Sequence, residues 1–126
     1  MIKIENLNKK YSKQTVLDIL SLEIPSGQTF GLIGNNGAGK TTLFSCLLDL
    51  IKTTKGKVIN NDVEVSSSED WKSFTTAFLD ETFLIGYLMP EEYFYFIGEL
   101  RGLSKIQVRE CLKRFVLSIF YLDFQF

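Results

Sequence analysis

The sequence of 126 residues contains no histidine. Chemistry that relies on an imidazole, as base or as metal ligand, has no residue here to perform it. Cysteine is scarce. Cys46 and Cys111 lie far apart with no paired spacing, which excludes a disulfide framework and a zinc-finger pattern and fits a reducing cytoplasm. No apolar run reaches the roughly 18–20 residues that a membrane-spanning helix needs. The greasiest stretch, Phe115 to Phe126, is too short. The opening Met1-Ile2-Lys3-Ile4-Glu5 alternates and does not read as a signal peptide. There is no long basic run, and the net charge is −1 with a pI near 5.5, so no nucleic-acid footprint is expected. Any contact with a membrane is expected to run through a partner.

What remains is an ordinary globular balance, with 45% apolar and 23% charged residues. The length fits one domain, and a chain of this size buries roughly two-thirds of its unfolded surface. Ile2 and Ile4 alternate with Lys3 and Glu5, predicting a half-buried strand over 2–7. Leu20, Leu22 and Ile24 alternate with Ser21 and Glu23, predicting a second strand that ends at the turn Pro25-Ser26-Gly27. Thr29 to Ile33 reads as a short buried strand. After a glycine cluster, Leu43, Leu47, Leu50 and Ile51 recur at helical spacing from Lys40 onward. Further strands are expected at Gly56–Asn60 and Phe74–Leu79, with a short helix opening in Ser66–Trp71. Pro90 suits a first helical turn, where its missing N–H costs nothing, and Glu91 and Glu92 then sit at the positive end of the dipole. Gly102 is the expected stop, and Ser104 with Gln107 forms a capping box for a last helix.

The chemistry is concentrated in Gly34-Asn35-Asn36-Gly37-Ala38-Gly39-Lys40-Thr41, which fits G-x-x-x-x-G-K-[ST]. The glycines let the backbone curl until its N–H groups face an anion. The helix that follows adds the positive end of its dipole. Lys40 supplies a point charge for the β and γ phosphates, the Thr41 hydroxyl is the Mg²⁺ ligand, and Thr42 is placed for the α-phosphate. A chance match has odds of roughly 0.4% at average residue usage. The preceding strand and following helix supply the required context.

The longer run Gly31-Leu32-Ile33-Gly34-Asn35-Asn36-Gly37-Ala38-Gly39-Lys40-Thr41-Thr42-Leu43 closely resembles the Walker A region of ABC transporter ATP-binding subunits. Ile4-Glu5-Asn6-Leu7 before Lys10-Tyr11, the turn before the loop, Gly56-Lys57-Val58, and Gly98 to Ser104 resemble other pieces of that family in its own order. The last of these looks like bacterial exporter-type members, and the resemblance spans roughly residues 1 to 114. It implies that Tyr11 stacks on adenine, that Val16 packs near the same base, and that Glu81 is the Q-loop residue touching Mg²⁺ and sensing the γ-phosphate, with Asp80 second. A rival reading takes Ala77 to Glu81 as a Walker B strand.

Two look-alikes are set aside. Leu103-Ser104-Lys105-Ile106-Gln107 lacks the two glycines of the family's signature loop and reads as a helix cap. Ile119 to Asp123 has Phe124 where Walker B carries Glu, and reads as apolar core or tail. The signature loop, Walker B pair, D-loop and switch histidine therefore have no counterpart, and the resemblance is to the N-terminal half of such an ATPase, truncated before those parts.

The expected fold is α/β: an incomplete P-loop core with an N-terminal antiparallel β portion over 1–89 and the start of a helical subdomain with a divergent tail over 90–126. The expected function is an ATP-binding component that binds Mg-ATP and powers transport. Its implied partners are transmembrane subunits and a second nucleotide-binding subunit docked head to tail, at the inner face of the cell membrane. Lys40 and Glu81 are the expected catalytic residues. The alternatives are a nucleotide-binding remnant without hydrolysis, or another P-loop enzyme. A GTPase would need Asn-Lys-x-Asp, and Asn8-Lys9-Lys10-Tyr11 lacks the Asp.

Overall fold

A computed structural model describes residues 1–80, 82 and 84–122, with side chains through Phe115. The chain divides into two compact units, Met1–Leu79 and Asp80–Phe126.

The first unit is a four-stranded antiparallel sheet covered by one helix. Its strands are β1 (Ile2–Tyr11), β2 (Gln14–Ile24), β3 (Lys55–Asn60) and β4 (Val63–Glu64), in spatial order β2-β1-β3-β4. Helix α1 spans Lys40–Leu47. The β1 pattern explains how the core closes. Ile4 and Leu7 are both fully buried although they lie three residues apart, which strict alternation would place on opposite faces. Asn6 takes a left-handed φ of 50°, and the β1–β3 register slips between Glu5 and Asn8. This bulge adds one residue and resets which face Leu7 presents. Gly56 is the matching device on β3. Its φ is +77°, and a Cβ there would lie 2.2 Å from the Asn6 carbonyl oxygen. Only glycine fits.

Leu17, Leu43, Cys46, Val58, Val65 and Trp71 complete the core, and Trp71 donates its indole N–H to the Val65 carbonyl at 3.1 Å. Burying a Leu or Ile side chain contributes roughly 1.5–3 kcal/mol. On the solvent side, Lys57–Glu5 (3.2 Å) and Lys3–Glu23 (3.7 Å) pair residues that face each other across strands. Half-exposed pairs of this kind add little stability and mainly favour one register.

Several expectations need correction. Thr29 to Ile33 and Phe74 to Leu79 are not strands. Thr75 is extended, with φ −120° and ψ 137°, but among the described residues neither segment has a ladder partner. Ile33 is 97% and Phe78 69% exposed, so these apolar residues do not fill a sheet interior here. Phe74 itself ends a short 3₁₀ turn, Asp70–Phe74, which stands where a helix was expected to open. Helix α1 stops at Leu47 and does not carry Leu50 and Ile51. Asp49 turns left-handed at φ 51°, and Leu50 and Asp49 donate to the carbonyls of Ser45 (2.9 Å) and Cys46 (3.2 Å). That double bond pattern is a Schellman stop, made with Asp in place of the usual Gly. Leu20 is 80% exposed, while Leu17, Ile19 and Leu22 face the core.

The second unit contains α2 (Pro90–Leu100) and α3 (Lys105–Leu122). Pro90 opens α2 as expected, and Glu92 reaches back to accept the Met89 N–H at 2.8 Å. Gly102, at φ 71°, ends it, with Leu103 N–H donating to the Gly98 carbonyl at 2.9 Å. Ser104 and Gln107 form the reciprocal cap of α3: Ser104 N–H donates to Gln107 Oε1 at 2.9 Å and Gln107 N–H to Ser104 Oγ at 3.4 Å. The helices touch where Gly98 meets Val108; both residues are buried. Among the described residues no helix is long and apolar enough to cross a membrane. Incomplete P-loop architecture, an antiparallel β portion and a helical segment are all present as the sequence implied.

Candidate phosphate-binding site

Residues 34–39 form an open loop between the sheet and α1. A turn closed by Ala38 N–H donating to the Asn35 carbonyl (3.1 Å) bends the chain back on itself. Gly37 and Gly39 have φ of +85° and +83°, a region that side-chain-bearing residues rarely adopt. At Gly39 there is also no room. A Cβ would lie 2.9 Å from both Leu17 Cδ2 and the Val16 carbonyl oxygen. The loop therefore rests directly on β2. Gly34 packs against Ala38, and Asn35, Asn36 and Gly37 are exposed to solvent.

The first intrahelical bond of α1 runs from Leu43 N–H to the Gly39 carbonyl at 2.8 Å. The N–H groups of Lys40, Thr41 and Thr42 precede it, so they have no acceptor within the helix. They face the loop at the positive end of the helix dipole. The Lys40 ammonium folds over the same opening and donates to the carbonyls of Gly34 (2.5 Å) and Asn35 (2.8 Å). Unpaired N–H groups, a dipole end and a fixed cation thus converge on one exposed loop. This donor set suits a polyphosphate. Thr41 is exposed in the first turn.

The β1–β2 hairpin lies beside this loop. Val16 touches Gly39, and a cavity of about 260 Å³ is lined by Val16, Leu17, Ala38, Gly39, Lys40 and Leu43. A larger cavity of about 430 Å³, lined by residues such as Asn8, Asp18 and Thr54, includes no loop residue. The loop's own chemistry makes the smaller one the relevant site. Tyr11 ends β1 opposite Gln14 and is 50% exposed, with the Lys9 ammonium 4.9 Å from its ring centroid.

Of the other predicted residues, Asp80 opens the second unit. It accepts hydrogen bonds from the Thr82 hydroxyl and from the Thr82 N–H (2.8 Å), and these hold its carboxyl below the usual carboxylate range. Glu81 lies outside the described residues, as do Asp123 and Phe124 of the Walker B look-alike. One contributor to the loop's shape escaped the motif reading: Leu17, the side chain under Gly39. The only sequence signal for Leu17 was an apolar residue in a hairpin; nothing in the motif points to it.

Comparison with known proteins identifies the family. The sequence model of the ABC transporter family matches residues 17–114. The chain belongs to the ABC transporter family. An uncharacterized ABC transporter ATP-binding protein of Methanocaldococcus jannaschii is 34% identical over 121 residues, spanning 88% of this chain and 38% of that protein. The methionine import ATP-binding protein MetN of Clostridioides difficile is 49% identical over 67 residues, or 53% of this chain and 21% of MetN. Among solved structures, the dimeric structure of a bacterial ABC transporter cassette superposes with a TM-score of 0.74 at 25% identity, covering 90% of this chain and 56% of the cassette. The chain thus spans well under two-thirds of the length of each of these relatives.

Proposed function

We propose that this ABC family chain binds Mg-ATP through the loop Gly34–Thr41 and serves as the ATP-binding component of a transporter, powering transport through membrane subunits. The observation that carries the reading is the Lys40 ammonium held over the loop by two carbonyls, beside the unpaired N–H groups that open α1. In this reading the backbone of Gly34, Asn35, Asn36, Gly37, Ala38 and Gly39 wraps the phosphates. Lys40 exchanges its carbonyl partners for β and γ oxygens, Thr42 contacts the α-phosphate, and the Thr41 hydroxyl ligates Mg²⁺. Tyr11 and Val16 receive the adenine. Glu81, with Asp80 as the second choice, is the carboxylate assigned to the metal. The metal would neutralise charge on the phosphates, and the chain's own part is to bind, orient and fix that charge.

The partners are membrane-spanning subunits and a second nucleotide-binding subunit docked head to tail, at the inner face of the cell membrane. The segmentation read from the sequence, 1–89 for the β portion and loop and 90–126 for the helical start, belongs to the same proposal. A second reading is a nucleotide-binding remnant that binds without turnover.

Titrating the chain with Mg-ATP and following phosphate release tests both. Lys40→Ala is expected to weaken ATP binding tenfold or more, roughly the loss of a charge-assisted contact of about 1.5–3 kcal/mol. Unchanged affinity in that variant removes the phosphate-loop reading. Release of phosphate that Lys40→Ala abolishes removes the reading without turnover.

A further inference from the structure

We infer that Lys9 is a positioning residue for nucleotide base recognition: it holds the Tyr11 ring in place and ties it to the segment that leaves helix α1. The inference rests on the proposed ATP site and adds a residue to it. The Lys9 ammonium lies 4.9 Å from the Tyr11 ring centroid and donates to the Lys52 carbonyl at 2.6 Å. The next residue is held to the same segment, because Lys10 N–H donates to Thr54 Oγ1 at 2.9 Å. Two successive residues before Tyr11 are thus fastened to residues 52–54. That segment follows α1, whose other end forms the phosphate loop. Base platform and phosphate cradle are referenced to opposite ends of one helix.

The placement of the cation matters as much as the tether. A lysine over one ring face is attracted by the ring quadrupole and restricts the ring's rotation. Tyr11 is half exposed, so part of its surface is accessible to an arriving base. A ring already ordered does not have to lose rotamer freedom when a base arrives, so part of the ordering cost is met in the free protein. The interaction is partly exposed, which sets its worth at a twofold to fivefold effect on affinity, about what an exposed cation–π contact supplies.

The test compares Mg-ATP with inorganic tripolyphosphate in the 126-residue chain and in Lys9→Met, Lys9→Arg and Tyr11→Ala. Lys9→Met keeps the apolar stem and removes the charge. It is expected to weaken ATP about twofold to fivefold and to leave tripolyphosphate unchanged. Lys9→Arg, which can cover the ring and still donate to the carbonyl, restores ATP affinity. Equal weakening of both ligands by Lys9→Met overturns the proposal, since it marks a general effect of charge or folding. So does an unchanged ATP affinity in Lys9→Met alongside a loss in Tyr11→Ala. If Tyr11→Ala itself binds ATP normally, the base-stacking reading fails and takes the proposal with it. Failure of the unaltered chain to bind tripolyphosphate overturns the phosphate-loop reading instead.

Discussion

The two units differ in how they bury apolar surface. In Met1–Leu79 each of β1, β2, β3 and α1 contributes to one shared core, from Ile4 and Leu7 through Leu17, Leu43 and Cys46 to Val58, with Val65 and Trp71 closing it. In Asp80–Phe126 the described residues that are buried are Gly98 and Val108, at a single crossing of α2 and α3. Phe94, Phe96, Leu100, Leu103 and Ile106 remain exposed around it. Both units have well-made helix ends. Good local capping therefore does not by itself enclose a core; that takes elements arriving from several directions.

The contrast can be broken most severely at Gly56. A methyl group there meets the Asn6 backbone at 2.2 Å in a left-handed conformation, and backbone cannot swing aside. Gly56→Ala is expected to destabilise the first unit by at least about 3 kcal/mol. Urea unfolding followed by Trp71, the single tryptophan, reads this unit specifically. A smaller loss is expected at Gly98, where an added Cβ lies 2.2 Å from Val108 Cγ2. Gly98→Ala should cost roughly 1–3 kcal/mol by overpacking, seen as faster amide exchange in α2 and α3 with an unchanged Trp71 transition. Adding Val108→Ala should recover much of it, because the obstacle is a side chain.

The mildest test is chemical. Cys111 is exposed in the second unit, and Cys46 is buried in the first. Burial pushes the Cys46 thiol above its ordinary range, with Lys9 opposing and Asp49 adding to the rise. A maleimide should label Cys111 promptly in the native chain. Cys46 should label only as the first unit opens, because burial keeps the folded-state thiol both out of reach and protonated. Gly56→Ala should accelerate labelling at Cys46 and leave Cys111 unchanged. Equal labelling rates for the two thiols would erase the distinction between the units.

The sequence was most legible where one local interaction decides the structure. Pro90, Gly102 and the Ser104–Gln107 pair each announce a helix end, because caps depend on residues within one turn. The bend of residues 34–39 was legible for the same reason: Gly37, Gly39 and Lys40 shape it within a few residues of each other. Strands were legible only where a partner exists. Thr29–Ile33 and Phe74–Leu79 have strand composition, but a ladder needs a neighbour that composition does not supply. Asp49 hid the end of α1 because it adopts a conformation normally signalled by glycine. The bulge at Asn6 was invisible for a related reason. Its evidence is a close approach to Gly56, fifty residues away along the chain and adjacent only after β1 and β3 pair. Glu81 rested on family resemblance alone, and its place lies outside the described residues.

The contact beneath Gly39 bears on how the loop can vary. Its curvature is moulded against the backbone of Val16 and the side chain of Leu17. The shape of the phosphate cradle is thus written partly in a strand that carries no residue of the motif. A bulkier side chain at Leu17 would press on the loop from below while leaving every letter of Gly34–Thr41 intact. Two chains with identical motifs can in this way hold differently shaped cradles, and the hairpin sets the difference.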